Sequence, residues 1–103
     1  MTTSLGFPTE QQFKEWLIKQ DDKTIYSFER LNACNCPIAV FLKTHWQWQG
    51  HLTAWVNETI LFDPNVEIDN EIHLETPQWA ATFIVNFDVE NLLPENLKVW
   101  AQS

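Results

Sequence analysis

Two cysteines separated by a single residue, Cys34 and Cys36, are the first candidates for chemistry in this chain of 103 residues. Pro37 favours a helix start because its fixed φ suits the first helical residue, and this places Cys36 at the N-cap. The helix macrodipole and the free amides there favour a thiolate, so Cys36 is the reactive-thiol candidate. A nucleophilic cysteine also needs a base nearby. Three histidines could serve if the fold brings one close: His45, His51 and His73.

The simpler interpretation makes both cysteines structural, with Cys36 as a small capping residue and Cys34 as a small buried apolar one. No family-specific catalytic motif surrounds either cysteine, and no Ser/His/Asp order or paired catalytic carboxylates can be identified by context. We therefore assign no catalytic residue and expect a protein that is not an enzyme. An enzyme built on Cys36 remains the alternative.

Metal binding is the second possibility, because the cysteines and two histidines spell Cys-x-Cys-x8-His-x5-His. Zinc ligand pairs are commonly spaced by two to four residues, and a one-residue gap departs from that pattern. A calcium loop is suggested by acidic or amide side chains at every second position from Asp63 to Glu71. Ile68 stands where such a loop needs glycine, and a strand explains the alternation better. We predict no metal site and no cofactor.

Tryptophans supply the candidate interaction surface. Six are present, and His45 to Gln49 alternates aromatic with polar side chains just before a strand-like run. Exposed on a loop or sheet edge, tryptophan side chains could anchor a partner protein, whereas buried ones would be core. The residues proposed for this surface are Trp46, Trp48 and Trp55.

The elements that must position these residues follow from hydrophobic periodicity. Helices are predicted from Thr9, from Pro37 to about Thr44, and after a Thr76 cap, each with apolar residues at helical spacing. Strands are predicted by composition or alternation over 24–28, 52–56, 59–62, 66–74 and 97–100. The chain is expected to be one α+β domain over 1–103, with three short helices packed on one face of a small antiparallel sheet. Residues 1–7 are expected to form a loose N-terminal arm.

A resemblance supports the single domain. The run from Cys34 to Lys43, CNCPIAVFLK, resembles a Cys-Pro-Ile-Ala pattern found in small uncharacterised bacterial and phage-borne proteins. In that group a short helix, strands and a helix ending in Phe-Asp follow, which here would correspond to Phe87-Asp88. The resemblance extends thinly over residues 32–100. It implies a mobile-element origin and carries no established activity.

Charge is distributed unevenly along the chain. Residues 57–103 hold nine acidic side chains and one basic one, Lys98, so this half accounts for the whole net charge of −8. Direct binding to nucleic acid is disfavoured, since phosphate contact needs a clustered basic surface. No apolar run is long enough to span a bilayer, and the N-terminus lacks the features of a secretory signal. We expect no membrane association and a cytoplasmic location.

The function that fits best is a small acidic interaction or regulatory protein that binds another protein. A sharper alternative is a nucleic-acid mimic whose acidic half inhibits a basic protein. A homodimer is also expected, through the edge formed by Leu52–Phe62, because Glu67, Asp69 and Glu71 would guard the other strand.

Overall fold

A three-stranded antiparallel sheet with helices on one face forms the fold, which confirms the α+β prediction. The computed structural model describes residues 6–62, 71–89 and 92–103. Within them the elements follow in the order α1 Glu10–Ile18, α2 Asp22–Ser27, α3 Pro37–Trp46, β1 His51–Ala54, β2 Glu58–Phe62, β3 Glu71–Glu75, α4 Gln78–Asp88, a 3-10 turn Pro94–Asn96 and α5 Leu97–Ala101.

Five α-helices are present in the described ranges, so the predicted count of three was too low. Of the stretch 24–28, expected to be extended, residues 24–27 belong to α2 and only Phe28, its C-cap, is extended. The Asp21 carboxylate accepts the Thr24 amide and caps the helix. The expected final strand 97–100 is α5. Leu97 and Ala101, four residues apart, are both buried, and this helical spacing outweighs the strand propensity of a short apolar run.

Two helix starts agree with the sequence. Thr9 and Gln12 form the expected capping box on α1. Cys36 caps α3, and its Sγ accepts the Ala39 amide at 3.4 Å. The start of the third predicted helix differs from the prediction by one residue. Helix α4 begins at Gln78, with Pro77 rather than Thr76 as its N-cap.

The sheet has the order β1-β2-β3, and both pairs are antiparallel. The run Leu52–Phe62, predicted to be a sheet edge, contains β1, which lies at an edge, and β2, which lies in the centre. On β1, the Ala54 amide donates to the Ala33 carbonyl at 2.9 Å. Of the predicted strand 66–74, the structure describes β3 from Glu71. Residues 66–70 and the predicted turn at 63–65 lie outside the described residues.

An aromatic cluster centred on Phe13 forms the core between the helices. The Phe13 ring, fully buried, lies 4.9–6.0 Å from five other rings. These rings come from α1, α3, α4 and α5 and belong to Trp16, Phe41, Trp79, Phe83 and Trp100. One buried ring therefore holds four helices together.

The N-terminal segment also reaches this core. Phe7 packs edge-on against Trp46 and Trp79, with ring centroids 5.9 and 6.0 Å apart. The Trp46 indole donates to the Gly6 carbonyl at 3.2 Å. The other residues of the predicted loose arm, 1–5, lie outside the described ranges.

Truncating the cluster tests this core. Phe41→Ala and Phe83→Ala should each lower the free energy of unfolding by about 3–5 kcal/mol, because both rings are almost completely buried. Val99→Ala is the matched control: Val99 is 67% exposed, and its loss should change little. Urea unfolding measures all three, and a Phe83→Ala value as small as that of the control would mean the ring is not in the core.

Candidate interaction surface

The sheet has one face turned away from the helices, here called the outer face. Strand alternation places on it His51 and Thr53 of β1, Glu58, Ile60 and Phe62 of β2, and Glu71, His73 and Glu75 of β3. The intervening residues, such as Leu52, Leu61 and Ile72, contribute to the core on the helix side. The strand register places residues of the three strands side by side in rows across the sheet. The middle row consists of Thr53, Ile60 and His73.

Carboxylates dominate the β3 side of the outer face. Glu58 lies opposite Glu75 in the register, a like-charge pair. His73 lies between carboxylates, with Nδ1 3.0 Å from a Glu58 oxygen and Nε2 2.9 Å from a Glu71 oxygen. Hydrogen bonds to Glu58 and then to Glu71 raise the pKa of His73 above its ordinary value. Only the protonated imidazolium can donate at both nitrogens, so this histidine partly offsets the acidic charge.

A groove extends the outer face beyond β1. It lies between the 29–34 loop and Trp55, has a volume of about 690 Å³ and is widely open to solvent. Trp55 is 50% exposed, and its indole donates to the Thr53 hydroxyl at 3.0 Å, which places the ring beside the middle row. A smaller cavity of about 120 Å³ adjoins the same two walls and is lined mainly by apolar groups such as Val56 and Ile84.

Hydrogen bonds hold the two walls of the groove in place. The buried Thr76 hydroxyl bonds the Trp55 carbonyl at 2.8 Å and lies 3.0 Å from the Thr59 hydroxyl, so it ties the hairpin turn to β2. Sequence reasoning made Thr76 a helix cap, which is wrong. Across the groove, Asp88 accepts the Leu31 amide at 3.0 Å and fixes the loop to the end of α4.

Leu31 is the unusual residue of the loop. Its φ of 60° lies in the left-handed region that leucine rarely adopts, and its side chain is 81% exposed. A large apolar side chain held outward in a strained conformation is typical of functional loops rather than of packing. No sequence signal identified this position, because the loop contains no glycine or proline.

The three predicted surface tryptophans have different environments. Trp46 and Trp48 are half-buried and pack against the core. Their indoles donate to the carbonyls of Gly6 and His51, both at 3.2 Å. Only Trp55 of the three is as much as half exposed, so we retain it alone in the candidate surface.

Burial contradicts the choice of Cys36 as the reactive thiol. The side chain is 3% exposed, and burial raises its pKa to about 11, although the bonds from backbone amides at the helix start oppose this. The cap position was predicted correctly, but desolvation outweighs the helix-terminus effect. Cys36 therefore keeps its proton at neutral pH and acts as a cap.

Cys34, rather than Cys36, has an exposed thiol with a histidine beside it. It is exposed rather than buried as expected, and its Sγ lies 3.1 Å from Nε2 of His51. His45 instead packs on Phe41, with ring centroids 5.6 Å apart. Thus the four residues considered for zinc are not gathered, and over the described ranges no cluster of three or more His, Cys, Asp or Glu side chains could hold a metal ion.

Comparisons of the chain with protein-family models, with curated proteins and with solved structures give no match. Among the helices of the described residues, none is both long and apolar enough to cross a membrane. The functional argument therefore depends on the surface itself.

Replacing Leu31 tests whether its backbone is strained. Leu31→Gly should raise the free energy of unfolding by about 0.5–1 kcal/mol, because glycine adopts a positive φ without steric cost and the exposed side chain contributes little packing. Leu31→Ala is the control, since it removes the same side chain and keeps the strain. Thermal and urea unfolding measure both, and a glycine variant no more stable than the alanine variant would contradict the strain.

Proposed function

We propose that this protein is a non-enzymatic interaction protein that binds another protein through the outer face and the adjoining groove. The observation that carries the proposal is the sheet face left on the side away from the helices, where Ile60, Phe62 and Trp55 are partly exposed between carboxylates. Partly exposed apolar and aromatic groups rimmed by charge are typical of protein-binding surfaces. The buried Cys36 supports a non-enzymatic role over an enzyme built on that thiol.

Charge points to the chemistry of the partner. The outer face has three glutamates and two histidines, and the whole chain has a net charge of −8. A basic surface would be attracted to it and oriented by it. The groove between Leu31 and Trp55 would then receive an apolar side chain of the same partner.

The nucleic-acid mimic is a special case of this proposal, in which the basic partner is itself a nucleic-acid-binding protein. The acidic outer face favours it, because it presents carboxylates where a partner would otherwise hold phosphates. Competition by duplex DNA for the partner distinguishes the mimic from other basic-protein binders. Direct binding of nucleic acid by this chain stays disfavoured for the same electrostatic reason.

The proposal includes a cytoplasmic location and weighs the predicted homodimer against a basic partner. Two free thiols, Cys34 and Cys36, favour a reducing compartment. The twofold dimer predicted through Leu52–Phe62 would use the β1 edge, where the Ala54 amide is already bonded within the chain, so a basic partner is favoured over a second copy at that edge. The mobile-element origin rests on the Cys-Pro-Ile-Ala resemblance alone.

Binding of a basic amphipathic probe tests the proposal. We expect a synthetic peptide of alternating lysine and leucine to shift the amide NMR signals of Thr53, Trp55, Ile60 and His73, and to leave those of α1 and α5 in place. Raising the salt from about 0.05 M to about 0.3 M should remove most of the effect. A peptide of alternating glutamate and leucine is the control for charge.

Two matched variants locate the contact. Glu75→Gln, on the outer face, should weaken the lysine peptide about two- to fivefold, whereas Glu15→Gln, exposed on α1, should not. Shifts on the helix side, or equal binding of the glutamate peptide, would contradict the proposal.

A further inference from the structure

Cys34 and His51 form a nucleophile and base pair outside the proposed contact chemistry. The Sγ and Nε2 atoms are 3.1 Å apart, and both side chains are exposed. This is the arrangement that activates thiols, since the imidazole nitrogen can accept the thiol proton as the sulfur attacks. The residues are 17 positions apart, and the sheet edge brings them together.

Each member of the pair is held in position by its surroundings. Asn32 accepts the Cys34 amide at 3.0 Å and fixes the thiol on the 29–34 loop. His51 lies opposite Phe62 in the register, and the two rings are 5.5 Å apart. The Trp48 indole donates to the His51 carbonyl. The backbones of both residues are thus anchored, that of Cys34 on a hydrogen-bonded loop and that of His51 on β1.

The sulfur also has space beside it for a reactant. Cys34 lines the groove of about 690 Å³ together with Leu31, Thr53 and Trp55. A small disulfide could therefore approach the thiol from the groove, whose lining does not include His51. Cys36, by contrast, is 3% exposed and lines only the smaller cavity of about 120 Å³, while its Sγ accepts the Ala39 amide.

We propose that Cys34 is a thiol-exchange site that reacts with small-molecule disulfides, with His51 as the base. The Cys34 proton passes to His51 Nε2, and the thiolate attacks one sulfur of R–S–S–R. A Cys34–S–S–R bond forms as the original S–S bond breaks, and the leaving thiolate takes the proton from His51 as R–SH. The Cys34 sulfur is oxidised, and the departing sulfur is reduced.

The product of this exchange is a mixed disulfide that the chain itself does not resolve. A redox enzyme needs a second thiol to resolve such a bond, but Cys36 is buried and protonated. The site is therefore one of modification. Because the adduct would occupy the groove, it would also block docking there, a consequence that rests on the proposed function.

Reaction with dithiobis(nitrobenzoate), followed by the absorbance of the released thiolate, tests the site in the full folded chain. The native protein should release one equivalent rapidly, and Cys36→Ser should behave in the same way. Cys34→Ser should release none until it is unfolded. Incubation with oxidised glutathione should add one glutathione, seen by intact mass, to every variant that keeps Cys34.

The role of His51 is tested by rate. His51→Gln and His51→Phe should react at least about fivefold more slowly at neutral pH, and the difference should vanish in alkaline buffer, where hydroxide ionises thiols unaided. The phenylalanine variant keeps a ring against Phe62, so one of the two serves if the other fails to fold. His45→Gln is the matched control and should react as the native chain does. Equal rates for the native chain and both His51 variants, or faster reaction of Cys36 than of Cys34, would overturn the proposal. These readouts need no partner, so they are independent of whether the outer face binds one.

Discussion

The packing around Phe13 is the constraint on which the rest of the structure depends. Its ring contacts rings from α1, α3, α4 and α5, so these helices must gather at one place. A three-stranded sheet offers only one face to such a cluster, and the apolar residues of that face, including Leu52 and Leu61, complete the core. The described helices pack on that side, and the residues of the outer face, apart from the buried Thr53, are partly or largely exposed.

The composition of the outer face follows from this one-sided packing. Antiparallel strands with one buried face alternate apolar and polar residues, and β3 does so strictly. The departures from that rule indicate function: Ile60 and Phe62 face outward, and Trp55 and Leu31 stand beside them, half exposed or more. Three glutamates, Glu58, Glu71 and Glu75, lie on the same face as these groups. The same face holds Cys34 next to His51, so docking and thiol chemistry would share one surface.

Local signals in the sequence predicted the parts of the fold that local physics determines. The sequence predicted three local features: the Thr9 capping box, the Cys36 cap followed by Pro37, and the apolar stripe of α4. Each of them depends on neighbours only a few residues away. The secondary structure of two short segments was predicted wrongly. Residues 24–27 are helical because of the Asp21 cap, and residues 97–100 are helical because Trp100 packs on Phe13. The site was mostly beyond prediction: the partner of Cys34, the burial of Cys36 and the positive φ of Leu31 are set by tertiary contacts between distant segments.

Site-specific photo-crosslinking tests the central proposal, that the outer face of the sheet binds a partner protein. A photoreactive amino acid would replace Ile60, in the middle row of the outer face, or Thr82, exposed on α4 at the helix side. Each variant would be expressed in its native cells, and unfolding curves would confirm that both fold. The account predicts a discrete covalent adduct with a basic protein from position 60, lost on adding salt before irradiation, and none from position 82. Adducts from position 82 with none from position 60 would contradict it.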